Sequence, residues 1–202
     1  MNNNRCLFIV QDLRRHINNL TSLTSSKNYY EYYFKFCPEF ISNLEVNVRN
    51  NLTLRFLSNI SRWNAHLFLK KKFNTVKVTI GSEEKYFDAI RNSKLVICSY
   101  LSTSFLECMA ANVPVILILY NERRDKDIYN LPTLNILSNL KENNIYFDNY
   151  LDACRFINKN WQRINFWWGL RSTQVSRKKF VEKFCKKNVN ILNDIQSLID
   201  KC

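Results

Sequence analysis

From about residue 50 onward, short apolar runs of strand length alternate with stretches whose apolar positions recur every three to four residues. That alternation predicts βαβ units around a parallel sheet. Residues 51–57 (NLTLRFL) read as a strand, 62–73 as a basic amphipathic helix and 75–80 (TVKVTI) as the next strand, ended by Gly81. Ser82 is expected to cap a helix over 83–92, with Glu83 and Glu84 complementing the dipole in its first turn. Residues 94–100 (KLVICSY) and 114–120 (PVILILY) are almost continuously apolar, as strands buried on both faces are, and a helix over 102–111 joins them. Beyond them the pattern predicts a helix over 125–144 broken at Pro132, a short last strand at 145–147 and a helix over 149–161. Everything after Gln162 reads as helical or charged and is expected to close the domain.

The first fifty residues are less regular. One apolar run, 6–10, is followed by a Ser/Thr/Asn-rich stretch at 18–28 that reads as a loop, and by an aromatic-rich helix candidate at 29–44 (YYEYYFKFCPEFISNL). The expected division is therefore an extension or remnant of a preceding domain at 1–48, an α/β domain at 49–161, to which the resemblance described below assigns nucleotide-donor binding, and C-terminal helices at 162–202 packing on it. The fold class is α/β, a Rossmann-like parallel sheet flanked by helices with a C-terminal helical extension.

Composition narrows the setting. The run at 6–10 is too short for a secretory leader, and no stretch approaches the ~18 apolar residues of a membrane span. The expectation is a cytoplasmic protein, with peripheral contact at the inner face of the membrane as an option. Seven cysteines are spread along the chain without a C-x-x-C pair, which suits buried thiols in a reducing compartment better than a disulfide frame or zinc site. The sequons at Asn19, Asn51 and Asn59 then have no secretory route to serve. A net charge of +13, with clusters at Lys70–Lys72, Arg123–Arg124, Arg177–Lys179 and Lys186–Lys187, favours an anionic partner: nucleotide phosphate, nucleic acid or an anionic membrane. The basic residues are dispersed and no nucleic-acid-binding motif is visible, so no specific nucleic acid is expected.

The segment 94–120, KLVICSYLSTSFLECMAANVPVILILY, carries the candidate chemistry. A strand, a hydroxyl-rich turn, a helix and a strand place free backbone N–H groups and hydroxyls at the C-terminal edge of a parallel sheet, where phosphate binds readily. Ser102, Thr103 and Ser104 supply the hydroxyls, and Glu107 follows Ser104 by about one helical turn. Each residue also has an ordinary explanation, an N-cap for Ser102 or Thr103 and a dipole-complementing acid for Glu107. Arg55, at a strand end, could reach donor phosphates, and Arg62 is a weaker candidate of the same type. His16 and His66 stand beside no plausible nucleophile. Trp167 and Trp168 could stack on a base or pack into the core.

The order "apolar strand, Ser-Thr-Ser, Phe-Leu-Glu, small helix, Asn-x-Pro, apolar strand" resembles the C-terminal donor domain of GT-B-type transferases. More narrowly it resembles a transferase family typified by Leptospira surface-antigen biosynthesis proteins and related to CDP-glycerol glycerophosphotransferases. The likeness extends less sharply from Asn51 to about Phe184, through Leu54–Phe56 and the Trp167-Trp168 … Arg177–Phe180 ending. It implies that Ser102, Thr103 and Ser104 form the phosphate turn, that Glu107 contacts ribose, and that Asn112-Val113-Pro114 stands for Gly-x-Pro, asparagine being the next-best residue in a left-handed conformation. It also implies a glycosyl- or glycerophosphotransferase-like enzyme that uses a nucleotide-activated sugar or polyol donor for surface polysaccharide synthesis, with no cofactor and no metal. Two features depart from the pattern. Only Gly81 and Gly169 are present, so no glycine-rich loop exists, and fifty residues are too few for an acceptor domain. The chain then reads as a single GT-B C-terminal half whose acceptor domain a second polypeptide could supply, or as a non-catalytic nucleotide-binding or scaffold subunit that completes a split transferase.

Overall fold

In the computed structural model, residues 4–11, 13, 26–57, 64–81, 83–119 and 130–185 are described. Six strands form one sheet: β1 (Cys6–Ile9), β2 (Leu52–Phe56), β3 (Lys77–Ile80), β4 (Leu95–Cys98), β5 (Val115–Ile118) and β6 (Tyr146–Phe147). All neighbouring pairs are parallel, in the order β3-β2-β1-β4-β5-β6. Every residue of β1, β2, β4 and β5 is buried; β1, β4 and β5 accordingly read as unbroken apolar runs, while β2 carries the buried polar residues Thr53 and Arg55. The architecture is α/β and Rossmann-like, with helices at its C-terminal end.

The place of the N-terminal residues corrects the expected division at 48. Cys6–Ile9 is not an appendage: it pairs with β2 on one side and β4 on the other, in register Cys6 to Leu52 and Cys6 to Leu95. Without it the sheet would fall into two separate groups, β3-β2 and β4-β5-β6. The following helix α1 (Ser26–Tyr30) passes through a π-helical segment (Glu31–Phe36) into α2 (Cys37–Asn43). Helix thus begins inside the stretch read as a loop. Tyr32, Tyr33, Phe36, Cys37, Phe40 and Ile41 are buried, and Phe8 of β1 packs edge-on against Phe40 at 5.3 Å. A short α3 (Val46–Asn50) leads into β2.

Helices α4 (Ala65–Lys72) and α5 (Tyr86–Arg91) flank β3, α6 (Thr103–Ala110) joins β4 to β5, and α7 (Leu131–Glu142) and α8 (Tyr150–Asn160) bracket β6. Two boundaries differ from expectation. Ser82 lies outside the described residues, and α5 starts at Tyr86, so Glu83 and Glu84 stand before the helix. The Glu83 N–H donates to Ile80 O at 2.9 Å in a turn, which leaves the Glu84 carbonyl for Arg55 instead of a helical ladder. Pro132 does not break α7. It sits in the first turn behind the cap Asn130, whose side chain accepts from Thr133 N at 3.1 Å, and there the missing proline N–H costs nothing.

The chain closes with α9 (Ile164–Gly169) and α10 (Arg171–Phe184). Both tryptophans of α9 are buried and each fastens a helix end: Trp168 Nε1 donates to the Asn112 side chain at 3.0 Å, and Trp167 Nε1 donates to Asn143 O at 3.0 Å. Asn112 and Asn144 both have φ of 58°. Bonds from Val113 N to Cys108 O and from Ile145 N to Leu140 O, each 2.9 Å, complete the left-handed helix stops that glycine usually supplies. Packing, not base stacking, is the role the fold gives to these indoles.

Candidate functional site

At β1 the strand order reverses, since β2 lies on one side and β4 on the other. The crevice at the carboxyl ends of strands flanking such a switch point is where open α/β sheets bind ligands. A cavity of about 240 Å³ lies there, lined by Ile9 at the end of β1 and Val10 after it, Arg55 of β2 and Leu57 after it, Tyr86 of α5, Tyr100 after β4, and Thr103, Ser104 and Glu107 of α6. Four of the five residues singled out from sequence therefore meet in one place: Arg55, Thr103, Ser104 and Glu107.

Ser102, the fifth, has another task. It caps α6, its Oγ accepting from Phe105 N at 3.3 Å, and it is not among the residues lining the cavity. Helix α6 thus presents its first turn through Thr103, which is exposed, and Ser104, which is buried. His16 and Arg62 lie outside the described residues.

Arg55 is only 6% exposed. Its Nη2 donates to Glu84 O at 2.8 Å and Gly81 O at 3.2 Å, and its guanidinium carbon stands 6.0 Å from the Tyr86 ring centroid. Its Nη1 is buried with no hydrogen-bond partner among the described residues. Carbonyl oxygens satisfy N–H groups but do not neutralise a cation, and a buried charge without a counter-ion is costly. Gly81 makes the arrangement possible, because a Cβ there would come within 2.5 Å of Leu57 O.

Glu107 accepts a hydrogen bond of 2.5 Å from the Tyr86 hydroxyl. The Tyr86 pKa is raised well above the ordinary tyrosine value, chiefly by burial and then by its bond to Glu107, while a contact with the Ser104 hydroxyl acts the other way. Tyr86 therefore stays a neutral donor that fixes the carboxylate. Sequence reasoning did not find Tyr86: an aromatic at a helix start carries no signal until α5 and α6 are brought together. Tyr100 was likewise seen only as the end of a strand.

The connection after β1, where Rossmann folds often carry a glycine-rich phosphate loop, is used differently. Gln11 N donates to the Tyr32 hydroxyl at 2.8 Å and Leu13 N to the Tyr33 hydroxyl at 3.1 Å, while Tyr33 donates to Gln11 O at 2.6 Å. Tyr32 is also bonded to Ser99 Oγ at 2.5 Å. Two amides that could have faced a pyrophosphate are thereby occupied by tyrosines of the π-helical segment. Among the described residues, no three His, Cys, Asp or Glu side chains gather as they would around a metal ion. The described cysteines are free thiols, and burial pushes those of Cys108 and Cys154 up to about 12, so neither is a nucleophile near neutral pH.

Over residues 1–199 the sequence matches the family described as LIC12162 family transferase. The chain belongs to this transferase family. No curated protein and no solved structure shows a significant match. The family match spans β1 as well as the later strands, in keeping with one sheet drawn from both parts of the chain. The switch-point cavity brings together a buried arginine, the N-terminus of α6 and the side chain of Glu107.

Proposed function

We propose that this transferase binds a nucleotide-activated sugar or polyol donor in the switch-point cavity, with its phosphates toward Arg55 and the first turn of α6 and its ribose toward Glu107. The observation that carries this reading is the buried, incompletely bonded guanidinium of Arg55 in a cavity that also receives the N-terminus of α6. A helix N-terminus and an arginine both favour a phosphate, and together they would stabilise the charge on a departing nucleoside diphosphate. Glu107, held by Tyr86, suits hydroxyls that donate to a carboxylate. The likeness to GT-B donor domains and CDP-glycerol glycerophosphotransferases supports the same reading and extends it to surface polysaccharide synthesis. In that scheme the acceptor is met on another surface, which a second polypeptide could provide.

The test is isothermal titration of the wild-type protein and of Glu107→Ala with CMP, CDP, UDP, GDP and ADP. One diphosphate is expected to bind saturably, and its affinity to fall about tenfold or more in the variant, the loss of one charge-assisted hydrogen bond. A folded wild-type protein that binds none of them, or a variant that binds as well, would rule out the assigned site. In that case the reading as a non-catalytic scaffold subunit takes its place.

A further inference from the structure

Among residues that do not line this cavity, Phe34 of the π-helical segment and Phe68 of α4 meet, their ring centroids 4.8 Å apart. Around this contact lies an aromatic and aliphatic surface. Tyr30 stacks on Phe34 at 5.7 Å and is 55% exposed, and Leu67 is 53% exposed. Phe34, Phe68 and Phe73 are only partly buried. Lysines surround it: Lys35 stands over the Tyr30 ring at 5.6 Å, Lys72 lies 5.8 Å from the Phe68 ring centroid and 5.9 Å from that of Phe73, and Lys70 and Lys71 are exposed beside them. Glu31, half-buried, is the one acid that α1, the π-helical segment and α4 carry. The wider charge pattern agrees, since residues 46–82 hold Arg49, Arg55, Arg62, Lys70, Lys71, Lys72 and Lys77 and no Asp or Glu.

We infer that this face docks the protein on an anionic lipid bilayer. Exposed Leu and Tyr between lysines have the chemistry of an interfacial contact: apolar bodies enter the headgroup boundary while ammonium groups on long stems stay at the level of the phosphates. All the described cations rimming the patch are lysine, the point-charge form that suits a fluid anionic surface. Recognition of an ordered nucleic-acid phosphate would favour the bidentate fork of arginine. No helix among the described residues is long and apolar enough to cross a membrane, so the contact is peripheral as far as those residues go.

Co-sedimentation of the full chain with vesicles of phosphatidylcholine alone, or mixed with phosphatidylglycerol, tests the inference. Binding is expected only with the anionic lipid and should weaken as salt rises. Each lysine near such a surface contributes about fivefold to partitioning, so Lys70→Gln/Lys71→Gln/Lys72→Gln should lose about a hundredfold. Leu67→Gln should weaken the residual binding at high salt, where the apolar contribution dominates. Lys178→Gln/Lys179→Gln/Lys183→Gln removes as many exposed charges from α10 and should have much the smaller effect. Equal losses in the two triple variants would show diffuse attraction by a basic protein and overturn the assignment of a face. Failure of the folded wild-type protein to bind anionic vesicles would also overturn it, as would preferential binding of single-stranded RNA over vesicles through the same lysines. Circular dichroism of each variant separates these outcomes from misfolding.

Discussion

The connection after β1 and the connection after β4 stand side by side at the switch point, yet they solve opposite problems. After β1, described backbone groups at Gln11 and Leu13 are bonded to the hydroxyls of Tyr32 and Tyr33. After β4, one short turn ends at the Ser102 cap, and the first turn of α6 opens on a cavity that also holds a buried arginine. The described amides of the first connection are bonded within the protein, whereas the second lines a cavity. At its described residues the connection after β1 is a structural joint, its amides held by tyrosine hydroxyls and not turned toward the crevice by glycine.

The largest effect should come from breaking the joint. Tyr32→Ala would remove a fully buried ring together with the partner of Gln11 and Ser99, and is expected to cost about 3–5 kcal/mol in chemical denaturation. If Tyr32→Phe proves nearly as damaging, the hydroxyl and not the ring governs the joint. Gly81→Ala comes next. The added methyl must displace the Leu57 backbone, so a loss of about 1–3 kcal/mol is expected, and nucleotide binding should weaken with it because the Arg55 acceptors move. Unchanged titration of a destabilised Gly81→Ala protein would show that Arg55 is held by its own strand alone. Ser102→Ala should lower stability by about 1 kcal/mol through the lost cap while leaving nucleotide affinity unchanged, which distinguishes it from Glu107→Ala.

The smallest effect concerns pH. Because the folded pKa of Tyr86 is raised above the unfolded value of 10.0, its contribution to stability is complete below pH 10.0 and declines as pH rises through and above that value. Melting temperatures followed upward from pH 10.0 should fall slightly less steeply for Tyr86→Phe than for the wild-type protein. A steeper fall in the variant would contradict the assigned direction.

Much of the sheet could be read from the residues. Strands buried on both faces are mostly apolar, so 94–100 and 114–120 stood out without any tertiary information. The central strand did not. Cys6–Ile9 is as long and as apolar as β4 and β5, but residues 10–51 separate it from its neighbour β2, so its partners are invisible locally. Within the site, the grouping of Thr103, Ser104 and Glu107 follows from helical spacing. Choosing among the hydroxyls does not, because a shift of one residue at the start of α6 sends Ser102 into the cap and its neighbours toward the cavity.

The sequence by itself determined that 94–100 and 114–120 are buried strands, that Asn112 could end a helix in a left-handed conformation without glycine, and which hydroxyls and acid share the first turns of one helix. All of these depend on interactions a few residues apart. Only the tertiary structure decided that the N-terminal run completes the sheet, that Tyr86 fixes Glu107, and that Arg55 is buried with one nitrogen unsatisfied. Those features join residues from different crossovers, and their energies arise from desolvation and contact that no stretch of chain has on its own.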